Sequence, residues 1–318
     1  MLRFGLIGAG RWGKVYIRTI EKLGSRIHLT HLATSRPENK ALLKEPARLF
    51  SDWKKLLASD CDAVIVAAPA PQHAEIASAC LKAGKPVIVE KPLCSKAKTA
   101  EVLLKQAKKA RLPMLINYVQ LYNPAYRAIK QAVAQAGNPV RVIFSEGMDL
   151  GPFRPDTGTL WDRAPHDVSI CLDLLGKAGA KTKVKVLGAL PDKKGRPEML
   201  SIRLEWSRGP SAWIHAGRLS PNKRRTLAVI TDTNLFHFDD QVEVRCRQVP
   251  FDYKSRMEMG SAPWPKEGDP IPVPEGTAME QMLLSFADQV EHKKPPLVDP
   301  ALTLELTRIL EQCEKQLE

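Results

Sequence analysis

The stretch LIGAGRWGKVY, residues Leu6–Tyr16, restricts the fold of this chain more than any other feature. Two phosphate-binding patterns overlap in it. One is the G-x-G-x-x-G turn of a dinucleotide fold, formed by Gly8, Gly10 and Gly13. The other is the G-x-x-x-x-G-K loop of nucleotide triphosphatases, which ends at Lys14. That loop needs a Ser or Thr hydroxyl after the lysine to bind Mg²⁺, and this chain has Val15 there, so the dinucleotide pattern is the one that fits.

The residues around the turn agree with a dinucleotide fold. A mostly apolar run, Leu2–Ile7, suits a buried parallel strand, and apolar residues at roughly helical spacing follow from Trp12 onward. In such a fold the helix N-terminus faces the pyrophosphate, and the three glycines allow a tight turn, close approach of the phosphates and close helix–strand packing. The turn residues expected to contact the cofactor are Gly8, Gly10, Arg11, Trp12 and Gly13.

Length, composition and cysteine content indicate an ordinary globular protein. A chain of 318 residues suggests two domains, and 44% hydrophobic with 26% charged residues is typical of a folded enzyme-sized protein. The chain enters a strand at once without a signal-peptide pattern, and no apolar run approaches the ~18–20 residues of a membrane span, so we expect a cytoplasmic protein. Six scattered cysteines without a C-x-x-C pair predict reduced, mostly buried thiols and no metal site.

The net charge of +13 raises the possibility of a nucleic-acid partner. The basic residues are dispersed, however, and the longest runs, KKAR at 108–111 and NKRR at 222–225, are short. This distribution favours a solvated or anion-facing surface, and we expect neither a nucleic acid nor a membrane as partner.

The first part of the chain alternates strand-like and helical patterns, which predicts a doubly wound parallel sheet of the Rossmann type over residues 1–120. The strand candidates are Arg3–Ile7, Ile27–Ala33, Ala63–Ala67, Pro86–Val89 and Met114–Asn117. Helices are expected to begin near Arg11, Asp52, Pro71 and Ala97.

The remainder, residues 121–318, has a different pattern. A helix at Ala125–Ala136 is followed by strand-like segments with turn residues between most of them, which predicts an α/β domain with a large, mostly antiparallel open sheet. The segments are Arg141–Glu146, Lys183–Leu190, Leu200–Trp206, Ser211–Arg218, Thr226–Thr231, Leu235–Asp239 and Val242–Arg247. The proline-rich stretch Pro250–Pro274 opposes a helix, and two helices, Thr277–His292 and Pro300–Leu317, close the chain. The C-terminal helix is expected to pack back on the first domain.

The end of the second predicted strand bears on the choice of cofactor. An acidic residue normally stands ~20 positions past the glycine turn and binds the ribose 2′-hydroxyl of NAD. Here the place is taken by Thr34, followed by Ser35 and Arg36. Hydroxyls beside a guanidinium suit a 2′-phosphate, which predicts NADP with NAD still possible, although these residues also fit an ordinary polar loop.

The most specific segment is DAVIVAAPAPQHAEIASACLKAGKPVIVEKP, Asp62–Pro92. It resembles the Gfo/Idh/MocA family, the glucose–fructose oxidoreductase and inositol dehydrogenase group, in its turn, its helix-opening histidine and its Glu-Lys-Pro triplet. The turn lacks the usual Thr. A second segment, TLWDRAPHDVSICLDLLG at Thr159–Gly176, is similar to the family's D-x-x-x-H helix. Trp12-Gly13, Trp161-Asp162 and the SPNKRRTLAV stretch resemble the branch that acts on sugar nucleotides.

The resemblance implies hydride transfer between NAD(P) and a secondary hydroxyl or keto group of a sugar, cyclitol or nucleotide-linked sugar. Oxidising such an alcohol needs a group that takes the hydroxyl proton, and Lys91, Asp162 and His166 are the candidates. The spacing i, i+4 puts Asp162 and His166 on one helix face, with His166 as the better proton carrier and Asp162 as the orienting group. In isolation the same residues would be a surface lysine and a capping pair.

Further site residues follow from the same resemblance. Glu90 is expected to bind the nicotinamide ribose, and Pro92 to follow a cis peptide. The other expected cofactor contacts are Ala68, Pro69, His73 and Tyr118. The candidates for substrate contact are Gln120, Tyr122, Arg154, Trp161 and Arg163. Arg218, Lys223 and Arg225 either face an acidic substrate or are simply solvated.

Two matters stay open from the sequence. An exposed face of the antiparallel sheet would favour a homodimer or homotetramer. A non-catalytic regulatory or scaffold protein that keeps the cofactor fold is the main alternative function, and the presence of Lys91, Asp162 and His166 argues against it.

Overall fold

The computed structural model describes residues 1–44, 47–153, 157–175, 182–207, 209–253 and 268–318. The chain divides into two compact units, Met1–Val119 with Thr277–Thr307, and Gln120–Gly276 with Arg308–Glu318. The segment Thr277–Thr307 thus belongs with the first unit although it follows most of the second in sequence. The predicted domains 1–120 and 121–318 stay a prediction, because compactness does not show that either range folds by itself.

The first unit contains a six-stranded parallel sheet in the order β3-β2-β1-β4-β5-β6. The strands are β1 Leu2–Ile7, β2 Ile27–Ala33, β3 Arg48–Phe50, β4 Ala63–Val66, β5 Val87–Glu90 and β6 Met114–Asn117. The strand order reverses direction between β1 and β4, as in doubly wound folds, and the predicted fold class is confirmed. Every residue of β4, β5 and β6 is buried, which explains why they are apolar except for the last residues of β5 and β6, Glu90 and Asn117.

Helices surround this sheet within the unit. They are α1 Arg11–Lys22, α2 Trp53–Leu57, α3 His73–Lys82, α4 Ala97–Ala110 and, after the second unit, α8 Ala278–His292. The last helix, α9 Leu302–Leu317, contains the boundary between the units. Helix starts follow local capping: Asp52 accepts from the Lys54 backbone N–H at 2.9 Å, and Thr277 with Glu280 forms a capping box.

The second unit contains an eight-stranded sheet in the order β14-β13-β12-β11-β7-β10-β9-β8. Its described strand pairs are antiparallel except β7 with β10, which confirms the mostly antiparallel sheet. The strands are β7 Val140–Leu150, β8 Thr182–Pro191, β9 Pro197–Trp206, β10 Ser211–Gly217, β11 Leu219–Thr231, β12 Asn234–Asp239, β13 Cys246–Pro250 and β14 Asp269–Pro270.

Within the described residues, three helices lie wholly in the second unit: α5 Pro124–Ala136, α6 Thr159–Asp162 and α7 Ala164–Leu175. Helices α5 and α7 pack on the sheet, α5 against β12 and β13, and α7 against β7 and β10. Along β7 the side chains alternate, with Ile143 and Ser145 buried and Phe144 42% exposed. One face of the sheet is therefore covered by helices, and the opposite face carries exposed apolar side chains.

One predicted strand is displaced. The alternation of valines in Val242–Arg247 predicts a strand there, but β13 begins at Cys246. The Asp239 side chain accepts from the Gln241 N–H at 2.9 Å, and the Asp239 N–H donates to the Arg245 carbonyl at 2.9 Å. These bonds close a turn over the residues between, so the prediction was wrong because side-chain turn chemistry overrode the alternation.

Three further findings concern the described residues. None of their helices is long and apolar enough to cross a membrane. They contain no group of three or more His, Cys, Asp or Glu that could hold a metal ion. The six cysteines are free thiols, and all except Cys94 are buried.

Candidate active site

In the glycine turn between β1 and α1, two glycines are required by the packing of the backbone and one leaves open space. A Cβ on Gly8, which has φ +98°, would lie 2.5 Å from the Ala67 carbonyl oxygen, and a Cβ on Gly13 would lie 2.2 Å from the Gly8 carbonyl oxygen. Both positions must therefore be glycine for the protein's own backbone to pack. A Cβ on Gly10 would meet no described atom within 4 Å. The space beside Gly10 is open, which fits the predicted close approach of a phosphate.

The N-terminus of α1 is suited to an anion. Gly10 is the N-cap and supplies no side chain, and the first turn contains no acidic residue. The first backbone N–H groups of a helix have no partner within the helix, and here Lys14 N–H bonds back to Gly10 at 3.0 Å. The N–H groups ahead of it, together with the positive end of the helix dipole, fit the pyrophosphate of a dinucleotide.

The loop after β2 divides its three candidate residues by role. The Thr34 hydroxyl accepts from the Arg36 backbone N–H at 3.2 Å and from the Asn39 amide at 3.1 Å. Asn39 is buried, so this hydroxyl organises the loop. Ser35 and Arg36 are exposed. Of the three candidates, Ser35 and Arg36 are the ones whose exposed side chains could bind a ribose phosphate.

His73 opens α3 and connects two segments at the carboxyl edge of the sheet. Its side chain is buried, with 1% of the residue exposed. Nδ1 lies 2.8 Å from the Pro92 carbonyl oxygen and Nε2 lies 2.7 Å from the Ala68 carbonyl oxygen. Ala68 is half-buried and Pro69 is exposed. Direct contact between a cofactor and either ring nitrogen of His73 would require one of these two interactions to break.

Glu90 ends β5 and belongs to a buried polar cluster that the sequence did not indicate. Its Oε1 accepts from the Tyr16 hydroxyl at 2.8 Å and from the Asn117 amide at 2.6 Å, and the same amide lies 2.9 Å from the Tyr16 oxygen. Burial raises the pKa of the Glu90 carboxyl, and the bonds from Asn117 and Tyr16 oppose that shift. Asn117 ends β6 opposite Glu90 in register. Its place at a strand's carboxyl end was the available signal.

Lys91 and Tyr118 follow directly after β5 and β6. Lys91 is half-buried, and its peptide bond to Pro92 is cis, which confirms the predicted isomer. Tyr118 is buried and hydrogen-bonds with the Thr303 side chain, and burial raises the pKa of its phenol. Tyr118 therefore packs inside the first unit. Its predicted cofactor contact stays a prediction.

In the second unit, Asp162 is held by a buried arginine. Arg218 is fully buried, and its Nη2 lies 3.0 Å from Asp162 Oδ2 and 3.1 Å from the Thr157 carbonyl oxygen. Its Nη1 lies 3.4 Å from Glu198 Oε2. The interpretation of Arg218 as a solvated or substrate-facing cation was wrong, because the two carboxylates compensate its charge inside the protein.

Asp162 and His166 do not share one continuous helix. Asp162 ends α6, Arg163 forms a turn, and His166 lies in the first turn of α7. Pro165 explains the break, since it has no N–H to continue the helix from α6 but is accommodated in a first turn. The i, i+4 argument from a single helix was wrong in this respect. His166 is half-buried, and its backbone carbonyl accepts from the Ser169 hydroxyl at 2.8 Å.

Most predicted substrate contacts are engaged within the second unit. Arg163 Nη2 lies 2.8 Å from Asp149 Oδ1 and donates to the Gly151 carbonyl at 2.9 Å. The Trp161 indole N–H donates to Glu314 at 2.8 Å. The Gln120 side-chain oxygen lies 3.5 Å from the Asn123 amide nitrogen, and Lys223 pairs with Asp240 at 3.2 Å. Tyr122 is buried. Arg154 lies outside the described residues. The substrate contacts stay a prediction.

A second buried ion pair adjoins the helix that carries His166. Asp167 is fully buried, and its Oδ1 accepts from the Ser145 hydroxyl at 2.7 Å and pairs with Arg225 Nη1 at 3.1 Å. Burial raises the pKa of the Asp167 carboxyl, and Arg225 opposes the shift. A Cβ on Gly147 would lie 2.4 Å from Asp167 Oδ2, so this pair needs a glycine on β7. Arg225 is therefore an internal counter-charge.

The strand order, the open glycine turn and the anion-ready helix N-terminus define a dinucleotide-binding protein of the Rossmann type. A family model described as an oxidoreductase family with an NAD-binding Rossmann fold matches residues 2–118. A solved structure from Magnetospirillum magnetotacticum MS-1, assigned to the oxidoreductases without a named substrate, is 32% identical and superposes with a TM-score of 0.84 over 97% of this chain and 98% of that one. The chain belongs to the Gfo/Idh/MocA oxidoreductase family.

Curated relatives have two kinds of substrate in their names. The chain is 29% identical over 185 residues to inositol 2-dehydrogenase 2 of Saccharopolyspora erythraea, which covers 55% of this chain and 54% of the relative. It is 25% identical over 236 residues to UDP-N-acetylglucosamine 3-dehydrogenase of Acidithiobacillus ferrooxidans, which covers 72% and 71%. The chain thus matches about half the length of the first relative and more of the second.

Proposed function

We propose that this protein transfers hydride between a nicotinamide cofactor and a secondary hydroxyl or keto group of a sugar, cyclitol or nucleotide-linked sugar. The observation that carries the proposal is the position of Lys91 directly past the carboxyl end of β5. In an open parallel sheet this edge binds the ligand, and the glycine turn follows β1 at the same edge. Inositol and UDP-N-acetylglucosamine, named for the relatives, both offer secondary hydroxyls, which supports the substrate class.

The proposal gives each group of residues a role. The backbone of the glycine turn from Gly8 to Gly13 would hold the pyrophosphate, and Glu90 would hold the nicotinamide ribose. When bound, the nicotinamide supplies the hydride acceptor or donor. Lys91 and His166 take or return the proton of the substrate hydroxyl, and Asp162 orients that hydroxyl. Arg218 compensates the charge of the Asp162 carboxylate and fixes the direction of that side chain.

The cofactor choice follows from the loop after β2. With the Thr34 hydroxyl committed to the loop, Ser35 and Arg36 are the residues proposed to bind a 2′-phosphate. The absence of a carboxylate at position 34 leaves NADP unopposed there. NADP is therefore the proposed cofactor, with NAD used more weakly.

The outer face of the second unit's sheet supports a proposed homodimer or homotetramer. Phe144 is exposed, and the half-buried Trp213 lies beneath the Arg203 guanidinium, 5.0 Å from the ring centre. An apolar sheet face of this kind favours self-association. Analytical ultracentrifugation of the wild type and of Phe144→Glu tests it, and a wild-type monomer at all concentrations contradicts it.

A substrate screen run in both directions tests the proposed activity. Inositols, hexoses and nucleotide-linked sugars are offered with NADP⁺ and NAD⁺, their keto forms with the reduced cofactors, and the reduced nicotinamide is followed by absorbance. Turnover with at least one member of these classes is expected. Tight cofactor binding without hydride transfer to any of them would support the non-catalytic alternative instead.

The nucleic-acid alternative has its own test. Binding to DNA or RNA that weakens steeply with salt and competes with the cofactor would support it and contradict the small-molecule assignment. The dispersed charge of the chain predicts that no such competition is seen.

A further inference from the structure

We propose that His73 is a positioning residue, which fixes the Lys91–Pro92 loop through one ring nitrogen and the Ala68–Pro69 turn through the other. The inference rests on the proposed function, in which Lys91 handles the substrate proton and the Ala68–Pro69 turn lies beside the cofactor. It assigns His73 no contact with either ligand.

The geometry places one side chain between two segments of neighbouring strands. β4 and β5 are adjacent and parallel, Ala68 follows the end of β4, and Pro92 follows the end of β5. His73 reaches the carbonyl oxygens of both residues, at 2.7 and 2.8 Å, with only 1% of its surface exposed. Because the ring itself is buried, water reaches neither ring nitrogen unless the ring moves.

The His73 ring can donate a hydrogen bond to its carbonyl partners in addition to filling space. Carbonyl oxygens only accept hydrogen bonds, and a neutral imidazole carries a single N–H. The tautomer therefore decides which of the two carbonyls receives a hydrogen bond, and the ring bonds both only when each nitrogen carries a proton. An apolar ring of the same size would fill the space but offer a donor to neither carbonyl oxygen. Leu93, the residue after Pro92, is buried and packs in the protein interior. The Pro92 carbonyl is thus the polar group that lies between Lys91 and this buried residue.

The two nitrogens can be tested separately. An asparagine at this position carries its amide nitrogen close to the place of Nδ1, and a glutamine carries it close to the place of Nε2. His73→Asn thus retains a donor toward Pro92, His73→Gln retains one toward Ala68, and His73→Phe retains neither. His292→Phe, at an exposed histidine at the end of α8, is the matched control.

Steady-state kinetics and cofactor titration should separate the two functions. We expect His73→Gln to lower kcat by about 10–10²-fold with cofactor Kd nearly unchanged, the scale for misplacing a catalytic group without removing it. His73→Asn should raise cofactor Kd and keep most of kcat. His73→Phe should do both, and His292→Phe neither. Equal losses of kcat and Kd in the Asn and Gln variants would overturn the proposal, because they would indicate only a packing role.

A second measurement does not depend on turnover. The rate at which an acylating reagent modifies Lys91, followed by mass spectrometry on the cofactor-free protein, reports how this side chain is held. The rate should change in His73→Gln and His73→Phe and stay at the wild-type value in His73→Asn and His292→Phe. Identical Lys91 rates in all of these proteins would refute the positioning role. If the wild type turns over none of the offered substrates, the proposed function fails while this labelling pattern still decides the inference.

Discussion

Replacing Arg218 by methionine should destabilise the second unit by about 3–5 kcal/mol, the usual cost of removing one partner from a buried ion pair. The Arg218 side chain is fully buried, and the two carboxylates that it contacts are mostly buried, with Asp162 13% and Glu198 9% exposed. Methionine keeps most of the stem volume but removes the charge and every donor. Asp162, Glu198 and the Thr157 carbonyl then lose the guanidinium, while Arg163 Nε stays 3.8 Å from Asp162 Oδ2. At ~2–4 °C per kcal/mol for a unit of this size, the midpoint of thermal unfolding should fall by about 6–20 °C.

Calorimetry on Arg218→Met and on a control variant measures this loss of stability. Lys223→Met removes a cation that is 59% exposed and 3.2 Å from Asp240, and it should cost no more than ~1 kcal/mol. Adding Asp162→Asn to Arg218→Met should recover part of the loss, because one of the two carboxylate charges that lost the guanidinium disappears. If Arg218→Met costs no more than Lys223→Met, the buried cluster does not stabilise Asp162 and the argument for its fixed direction fails.

Three further outcomes are expected. Gly10→Ala should fold as the wild type does but bind NADP(H) at least ~10-fold more weakly in a fluorescence titration. Gly13→Ala should instead lower the stability measured by thermal unfolding. Equal effects of the two substitutions on binding and on stability would contradict the open space beside Gly10. Because burial raises the pKa of Glu90, its carboxyl contributes stability below its unfolded pKa of about 4.5 that is lost as pH rises through the higher folded pKa. Over that rise in pH, the free energy of unfolding measured by urea titration should therefore fall less for Glu90→Gln than for the wild type. If the two proteins show parallel profiles of this free energy against pH, the raised pKa of Glu90 is refuted. Arg36→Ala should weaken NADP binding and leave NAD binding unchanged, and a clear NAD preference in the wild type would overturn the cofactor assignment.

The parts of the fold that the sequence predicted are those with strong local signals. Five of the six parallel strands were located because they are mostly apolar runs bounded by turns, and three of these strands are buried at every residue. Strand β3, with the three residues Arg48–Phe50, is too short to show a period. The roles assigned to Gly8 and Gly13 came from a motif: Gly13 packs on the Gly8 carbonyl within that motif, whereas the Ala67 carbonyl that Gly8 approaches lies far away in sequence.

The side-chain partners could not be obtained in the same way. Arg218 and Asp162 are 56 positions apart, and nothing in the sequence near either one indicates that β10, β11 and α6 bring them together. His73 was singled out by its motif, but its partners are backbone carbonyls, which carry no sequence signal. The break before α7 was foreseeable from Pro165, since the missing N–H is a local property.

The measurement that tests the central claim most directly is the turnover of Lys91 variants on a substrate identified in the screen. Lys91→Ala should lower kcat by about 10²-fold or more with cofactor affinity nearly unchanged, as expected for loss of a proton-transfer group. His166→Ala should behave alike, and Asp162→Asn should cost less. Lys91→Arg should not restore activity, because a guanidinium stays protonated and cannot accept the hydroxyl proton. Wild-type turnover by Lys91→Ala would contradict the account.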